Sequence, residues 1–178
     1  MRLLLPDAIE NQMKRELRAA GRREIGGVLL GELVGSGVFR VAEITVQRTG
    51  GTSSTFVRIP RLHAEAIRAF FQRTGHQYER FNYLGEWHSH PSYPTRPSGS
   101  DLRAMEEILC NPAMAVNFAV LSIVKIPTAA SFEISSYAFV PGTRYAEIAT
   151  ISDQTSKRKQ DWRSAGRAPL DRMEIRRW

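Results

Sequence analysis

The chain has 178 residues, 42% of them hydrophobic and 24% charged, and it contains one cysteine. That suits one soluble domain with a sizeable core, and it excludes both an intramolecular disulfide and a multi-sulfur zinc cluster. The net charge of +7 invites an acidic partner, but residues 153–178 hold eight Lys/Arg against four Asp/Glu, so much of the excess is local and a weak sign of nucleic-acid binding. Residues 1–7 have too short an apolar run for a signal peptide. The longest apolar stretch, residues 113–126, is interrupted by Asn117 and Lys125 and reads as a buried strand, not a membrane span. A cytoplasmic address is the expectation.

Residues 6–20 place Ile9, Met13 and Leu17 at helical spacing, with Gly21 as a stop. Residues 24–33 predict a strand, Gly35-Ser36-Gly37 a turn, and the alternating residues 38–46 its hairpin partner. Residues 50–54 are a loop and 56–59 a short extended piece. Residues 61–73 predict a helix with Leu62, Ala66, Ile67, Phe70 and Phe71 on its apolar stripe, ended by Gly75. Residues 81–90 predict another strand. Pro91, Pro94 and Pro97 make the next connection stiff and non-helical. A helix over 98–109 stops at Asn111-Pro112, and strands over 115–126 and 132–140 flank a turn. The order predicts a mixed α/β fold in three layers, with a central sheet flanked by helices. Residues 1–152 read as the domain. Residues 153–178 read as a basic tail, first as a solvated extension, then as a docking element for an acidic partner, and last as a nucleic-acid contact.

The chemistry concentrates at Gly85-Glu86-Trp87-His88-Ser89-His90-Pro91 and at Ser98 and Asp101. Strand residues two apart share a face, so His88 and His90 project together and Trp87 turns into the core. Asp101 lies in the first turn of the next helix, where the helix dipole favours a carboxylate. Two imidazoles and a carboxylate are ligands that zinc takes, and three protein ligands leave a fourth position for water. Glu24 is the candidate base for that water, which together points to metal-assisted hydrolysis. Ser98 and Asp101 also fit a helix capping box, and Ser98 reads both as the helix cap and as a hydroxyl facing the metal. Phe70, Phe71, His63 and His76 read as packing and surface residues, and Cys110 as buried and inert.

Glu24, His88-Ser89-His90, Ser98 and Asp101 at this spacing resemble the JAMM signature of the JAB1/MPN/Mov34 zinc metalloproteases, and Glu24-Ile-Gly-Gly-Val-Leu-Leu-Gly31 resembles that family's glutamate strand. The resemblance spans residues 23–140. Gly85-Glu86-Trp87 is similar to bacterial members encoded beside ubiquitin-like conjugation enzymes, including deconjugases of anti-phage signalling operons. The resemblance implies an MPN/JAB-type, cytidine-deaminase-like fold. It implies that His88, His90 and Asp101 bind Zn²⁺, that Glu24 acts as general base and proton carrier, and that Ser98 hydrogen-bonds the oxyanion. Zinc lowers the pKa of its water to about 7, and an amide needs both oxyanion stabilisation and a proton on its leaving nitrogen.

The implied activity is zinc-dependent isopeptidase or peptidase cleavage after the C-terminal glycine of a ubiquitin-like modifier, or of a similarly conjugated protein. E1/E2-like conjugation enzymes are the implied associates. An extended glycine tail suits a sheet-edge groove. Tyr93 and Arg96 read as exposed loop residues more than as tail contacts. The alternatives are a zinc peptidase releasing an amino acid from a sulfur-carrier protein and a non-catalytic MPN scaffold. A nucleic-acid binder would need an aromatic-basic pattern that the chain lacks.

Overall fold

The computed structural model describes residues 1–154 apart from 113, 115, 129 and 130, so the predicted basic tail lies outside the described residues beyond Gln154. Strand β1 (Arg2–Pro6) leads directly into helix α1 (Asp7–Ala20). The hairpin β2 (Gly26–Gly35) and β3 (Val38–Ile44) follows. A 3-10 turn, Pro60–Leu62, precedes α2 (Ala64–Arg73), then come β4 (Phe81–Ser89) and α3 (Gly99–Cys110). Strands β5 (Ala119–Lys125), β6 (Glu133–Phe139) and β7 (Ala146–Asp153) complete the described elements. No helix among the described residues is long and apolar enough to cross a membrane.

The mixed α/β character matches expectation, but the plain three-layer arrangement does not. The sheet closes as a barrel in the order β1-β3-β2-β4-β5-β6-β7. Two unexpected strands cause the closure: β1 runs parallel to both β3 and β7, with Leu3 opposite Phe39 on one side and Thr150 on the other. Five residues are too few for β1 to display a period. Strand β7 is largely exposed, with only Ile148, Thr150 and Asp153 partly covered, so its hydrophobic signal is weak. Closure satisfies strand edges that would otherwise be open to pairing.

The two sheet faces build separate cores. Ile9, Met13 and Leu17 of α1 pack with Leu3, Leu29, Trp87, Val120 and Val124. The alternate residues face the other way: Val28 and Leu30 meet Phe70 of α2, and Leu121 and Ile123 meet Met105 and Ile108 of α3. Each large side chain fully buried in this way contributes about 1.5–3 kcal/mol. Gly85 marks an irregularity in the β2–β4 register, where the pairing jumps between Leu29 and Leu30. Its φ is +147, and a Cβ there would overlap the Val120 backbone, so only glycine fits.

Two local expectations are corrected. The helix expected over 61–73 is a 3-10 turn followed by α2: Pro60 starts the turn, and the His63 N–H bonds three residues back to Pro60 O before α2 begins at Ala64. The extended piece expected at 56–59 runs unpaired into that turn, with Ile59 in extended geometry. Cys110 is exposed, not buried. Met105 and Ile108 set the buried stripe of α3, and a residue two beyond Ile108 falls on the opposite side.

Candidate metal centre

The site forms where the C-terminal end of β4 leaves the sheet. His88 lies opposite Gly26 of β2 and Ile123 of β5, so its strand is central. Trp87 points to the α1 side, is fully buried, and donates its indole N–H to Thr45 O at 3.0 Å. At the last residue of the strand, Ser89 N–H donates to Ile25 O at 2.8 Å and Ser89 Oγ accepts from Ile25 N–H at 3.0 Å. His90 N–H donates to Val124 O at 2.9 Å. This continued pairing carries the alternation through to His90.

The proline-rich connection turns back under His90, and His90 Nδ1 lies 2.8 Å from Pro94 O. Helix α3 then opens with a complete capping box. Ser98 Oγ accepts from Asp101 N–H at 3.3 Å, and Asp101 Oδ2 accepts from Ser98 N–H at 2.7 Å. The box fixes the Asp101 rotamer and aims its carboxylate at the histidines.

Three ligand atoms result, all within 4.8 Å of one another, from His88, His90 and Asp101. The two Nε2 atoms lie 3.0 Å apart, and Asp101 oxygens are 3.5 Å from His88 Nε2 and 3.7 Å from His90 Nε2. The histidines and Asp101 are largely shielded from solvent. The donor set fits a divalent zinc. Pro94 O can only accept, so His90 carries its proton on Nδ1 and in its neutral form turns a bare Nε2 toward the cluster. Burial lowers the His90 pKa below that of free imidazole, partly offset by the Pro94 bond, which favours this neutral form. Burial acts to raise the Asp101 carboxyl, but hydrogen bonding and charge from His88, with the Ser98 bonds, hold it well below the usual carboxylate range. The cluster therefore presents the Asp101 carboxylate and the bare Nε2 of neutral His90.

Glu24 lies just before β2 and is only 4% exposed. Burial raises its carboxyl pKa, the charge of His88 lowers it, and Asp101 raises it, so Glu24 sits within electrostatic reach of two cluster members. Its N–H donates to Thr52 O at 2.7 Å, and Gly51 approaches so closely that a Cβ would overlap Glu24 O. Ser98 is exposed at the start of α3, with its Oγ 2.8 Å from Ser100 Oγ. Tyr93 and Arg96 are exposed, though the Tyr93 ring is edge-on to His90 at 6.4 Å. The structure thus gathers His88, His90 and Asp101, with Glu24 and Ser98 at the margin.

Sequence reasoning missed the groups that orient these residues. Pro94 acts through its carbonyl, which no side-chain pattern reveals. Phe56 stacks on His88 with ring centroids 6.2 Å apart and planes 23° from parallel. Arg58 pairs with buried Glu86. Gly26 was a usable signal for Phe56, since a Cβ there would overlap both the Phe56 ring and His88 Cβ.

Comparison with known proteins agrees with this geometry. Residues 6–139 match the family model described as prokaryotic homologs of the JAB domain. The chain is 30% identical over 142 residues to a CD-NTase/cGAS isopeptidase of Enterobacter hormaechei subsp. hoffmannii (strain UCI 50), covering 75% of this chain and 73% of that protein. Its fold resembles a solution structure from Desulfitobacterium hafniense, with a TM-score of 0.63 at 20% identity over 85% of this chain and 93% of that one. A solution structure from Salinibacter ruber (strain DSM 13855) matches with a TM-score of 0.53 at 23% identity, over 94% and 95%. The chain belongs to the prokaryotic JAB domain family.

Proposed function

We propose that this protein is a zinc-dependent isopeptidase that releases a conjugated protein from its target by cleaving the amide after a C-terminal glycine. The convergence of His88, His90 and Asp101 ligand atoms within 4.8 Å, beside buried Glu24, carries this reading. The similar Enterobacter hormaechei protein, called a CD-NTase/cGAS isopeptidase, suggests a CD-NTase-like enzyme as the conjugated partner, and the Gly85-Glu86-Trp87 resemblance suggests anti-phage defence as the setting.

His88, His90 and Asp101 would hold the Zn²⁺. When bound, zinc supplies an electrophile for the scissile carbonyl and acidifies a coordinated water. Glu24 takes a proton from the attacking water and delivers it to the departing lysine nitrogen. Burial raises its pKa toward that of a group able to do both. Ser98 can accept a hydrogen from Ser100 and turn its own hydroxyl proton toward the developing oxyanion. Asp101 anchors Ser98 through the capping box, so the donor and a ligand move as one unit.

The test is incubation of the purified protein with fusions of conjugation partners encoded beside it, with and without a chelator. Cleavage after the terminal glycine that stops on chelation and returns with zinc is the expected result. Chelator-insensitive cleavage, or none with any such fusion, overturns it.

A further inference from the structure

Glu86 has no part in the proposed chemistry, yet it occupies a costly position. It is 9% exposed, two residues before His88, between Val28 of β2 and Leu121 of β5. A carboxylate buried there needs a partner. Arg58 supplies it through an ion pair between Nε and Glu86 Oε1, and Tyr83 Oη adds a contact at 3.4 Å. Arg58 belongs to the irregular segment 48–59 between β3 and the 3-10 turn.

That segment touches the site at three points. Thr52 O accepts the Glu24 N–H, Gly51 abuts Glu24 O, and Phe56 stacks on His88. Gln47 holds its two ends together: its Nε2 donates to Thr49 O and Val57 O, both at 2.9 Å, and its Oε1 accepts from Ile59 N–H at 2.8 Å. Gln47 ties the segment to itself and to its own hairpin. Arg58 ties it to the strand that carries the histidines.

We propose that the Arg58–Glu86 ion pair is a positioning device that pins segment 48–59 as a strap against the site, fixing the Glu24 backbone and the His88 ring. Replacing a buried ion pair with apolar side chains is often neutral or stabilising, so stability alone does not account for it. A buried charge pair sets the position of a strap that has no sheet pairing of its own. The link to catalysis rests on Glu24 being the base, as proposed above; the docking of the strap does not.

The experiment is residue-resolved amide hydrogen exchange on the protein without substrate, comparing wild type, Glu86→Gln and Arg58→Lys. Leu29 and Val120 serve as core references. In Glu86→Gln, exchange at the Glu24 N–H is expected to accelerate about tenfold or more relative to the references, as for local opening without global unfolding. Arg58→Lys, which keeps the charge, should fall between that variant and wild type. In the cleavage assay kcat should fall by a larger factor than KM rises, with zinc content retained. Glu24 exchange that is unchanged, or that rises only in step with Leu29 and Val120, overturns the proposal. If Glu86→Gln does not fold, Arg58→Lys against Arg58→Met makes the same comparison. A wild type that cleaves no conjugate but whose Glu24 amide responds to Glu86→Gln keeps the strap and removes the function, so the two failures separate.

Discussion

His90 donates its Nδ1 proton to the carbonyl oxygen of Pro94 at 2.8 Å, and this one bond decides which nitrogen faces Asp101 and His88. An imidazole without such a partner can rotate or exchange tautomers, and hydrogen bonds of this kind typically change metal affinity by about 10–100-fold. The proline-rich connection thus serves as more than a spacer, since it brings both the carbonyl and the start of α3 to the histidines.

Replacing His88 by Ala should abolish tight zinc binding together with cleavage, while Glu24→Ala should keep the metal and lose the reaction. The expected loss of kcat for Glu24→Ala is about 10²–10⁴-fold, the range of general acid–base catalysis. Metal content by elemental analysis, set beside cleavage rates, separates the two. Normal turnover by Glu24→Ala would exclude Glu24 as the base.

Asp101→Ala removes a ligand atom and half of the α3 capping box together. A stability loss of about 1 kcal/mol should therefore appear even in metal-free protein, the typical cost of losing a helix cap. His90→Ala lies outside the helix and should not show this cap loss. Denaturant melts of the two variants, with residual secondary structure followed by circular dichroism, check the difference.

Ser98→Ala should likewise weaken the α3 cap by about 1 kcal/mol and reduce kcat by about 10²–10³-fold, as for loss of one oxyanion donor. Ser98→Thr keeps a hydroxyl at the cap and should recover stability. A Ser98→Ala variant that loses stability but keeps its kcat would leave Ser98 as a cap alone.

His63 should make stability fall with acid. It is 1% exposed, and its Nδ1 lies 2.7 Å from Thr45 Oγ1, which itself accepts the Val28 N–H. Gln47 Oε1, 3.3 Å from Nε2, can only accept, so neutral His63 carries its proton on Nε2 and its Nδ1 accepts the Thr45 hydroxyl proton. Burial first, and then the Arg58 charge, lower its pKa from 6.5. The unfolded chain thus protonates first as pH drops, so the contribution of neutral His63 is complete above 6.5 and shrinks as pH falls through and below it. Denaturation midpoints from pH 7.5 to 5 should decline more steeply in wild type than in His63→Gln, and equal slopes would contradict the assignment.

Gly51→Ala should damage catalysis more than folding, because the added methyl group meets Glu24 O. A cost of about 1–3 kcal/mol is usual for overpacking. The informative measurement is kcat at a temperature where the variant is fully folded. An unchanged kcat would mean that the Glu24 backbone tolerates displacement.

The histidine pair and the Ser98–Asp101 cap were legible in the sequence because each depends on neighbours. Strand alternation puts His88 and His90 on one face whatever the rest of the fold does, and a capping box needs only four consecutive residues. The hairpin at Gly35-Ser36-Gly37 and the stripe of α1 are local in the same sense. Barrel closure is not, because β1 pairs Arg2 with Ala149, residues at opposite ends of the described chain whose own sequences carry little hydrophobic pattern. Nor does any local rule bring Arg58 to Glu86, Phe56 over His88 or Pro94 O to His90, or turn Cys110 outward. Those relationships follow from which faces the closed sheet leaves for α2, α3 and the connecting segments. Ligand types and their local geometry were readable from neighbouring residues alone, whereas their convergence came from packing between distant segments, because side-chain period is a property of a few residues and proximity a property of the whole chain.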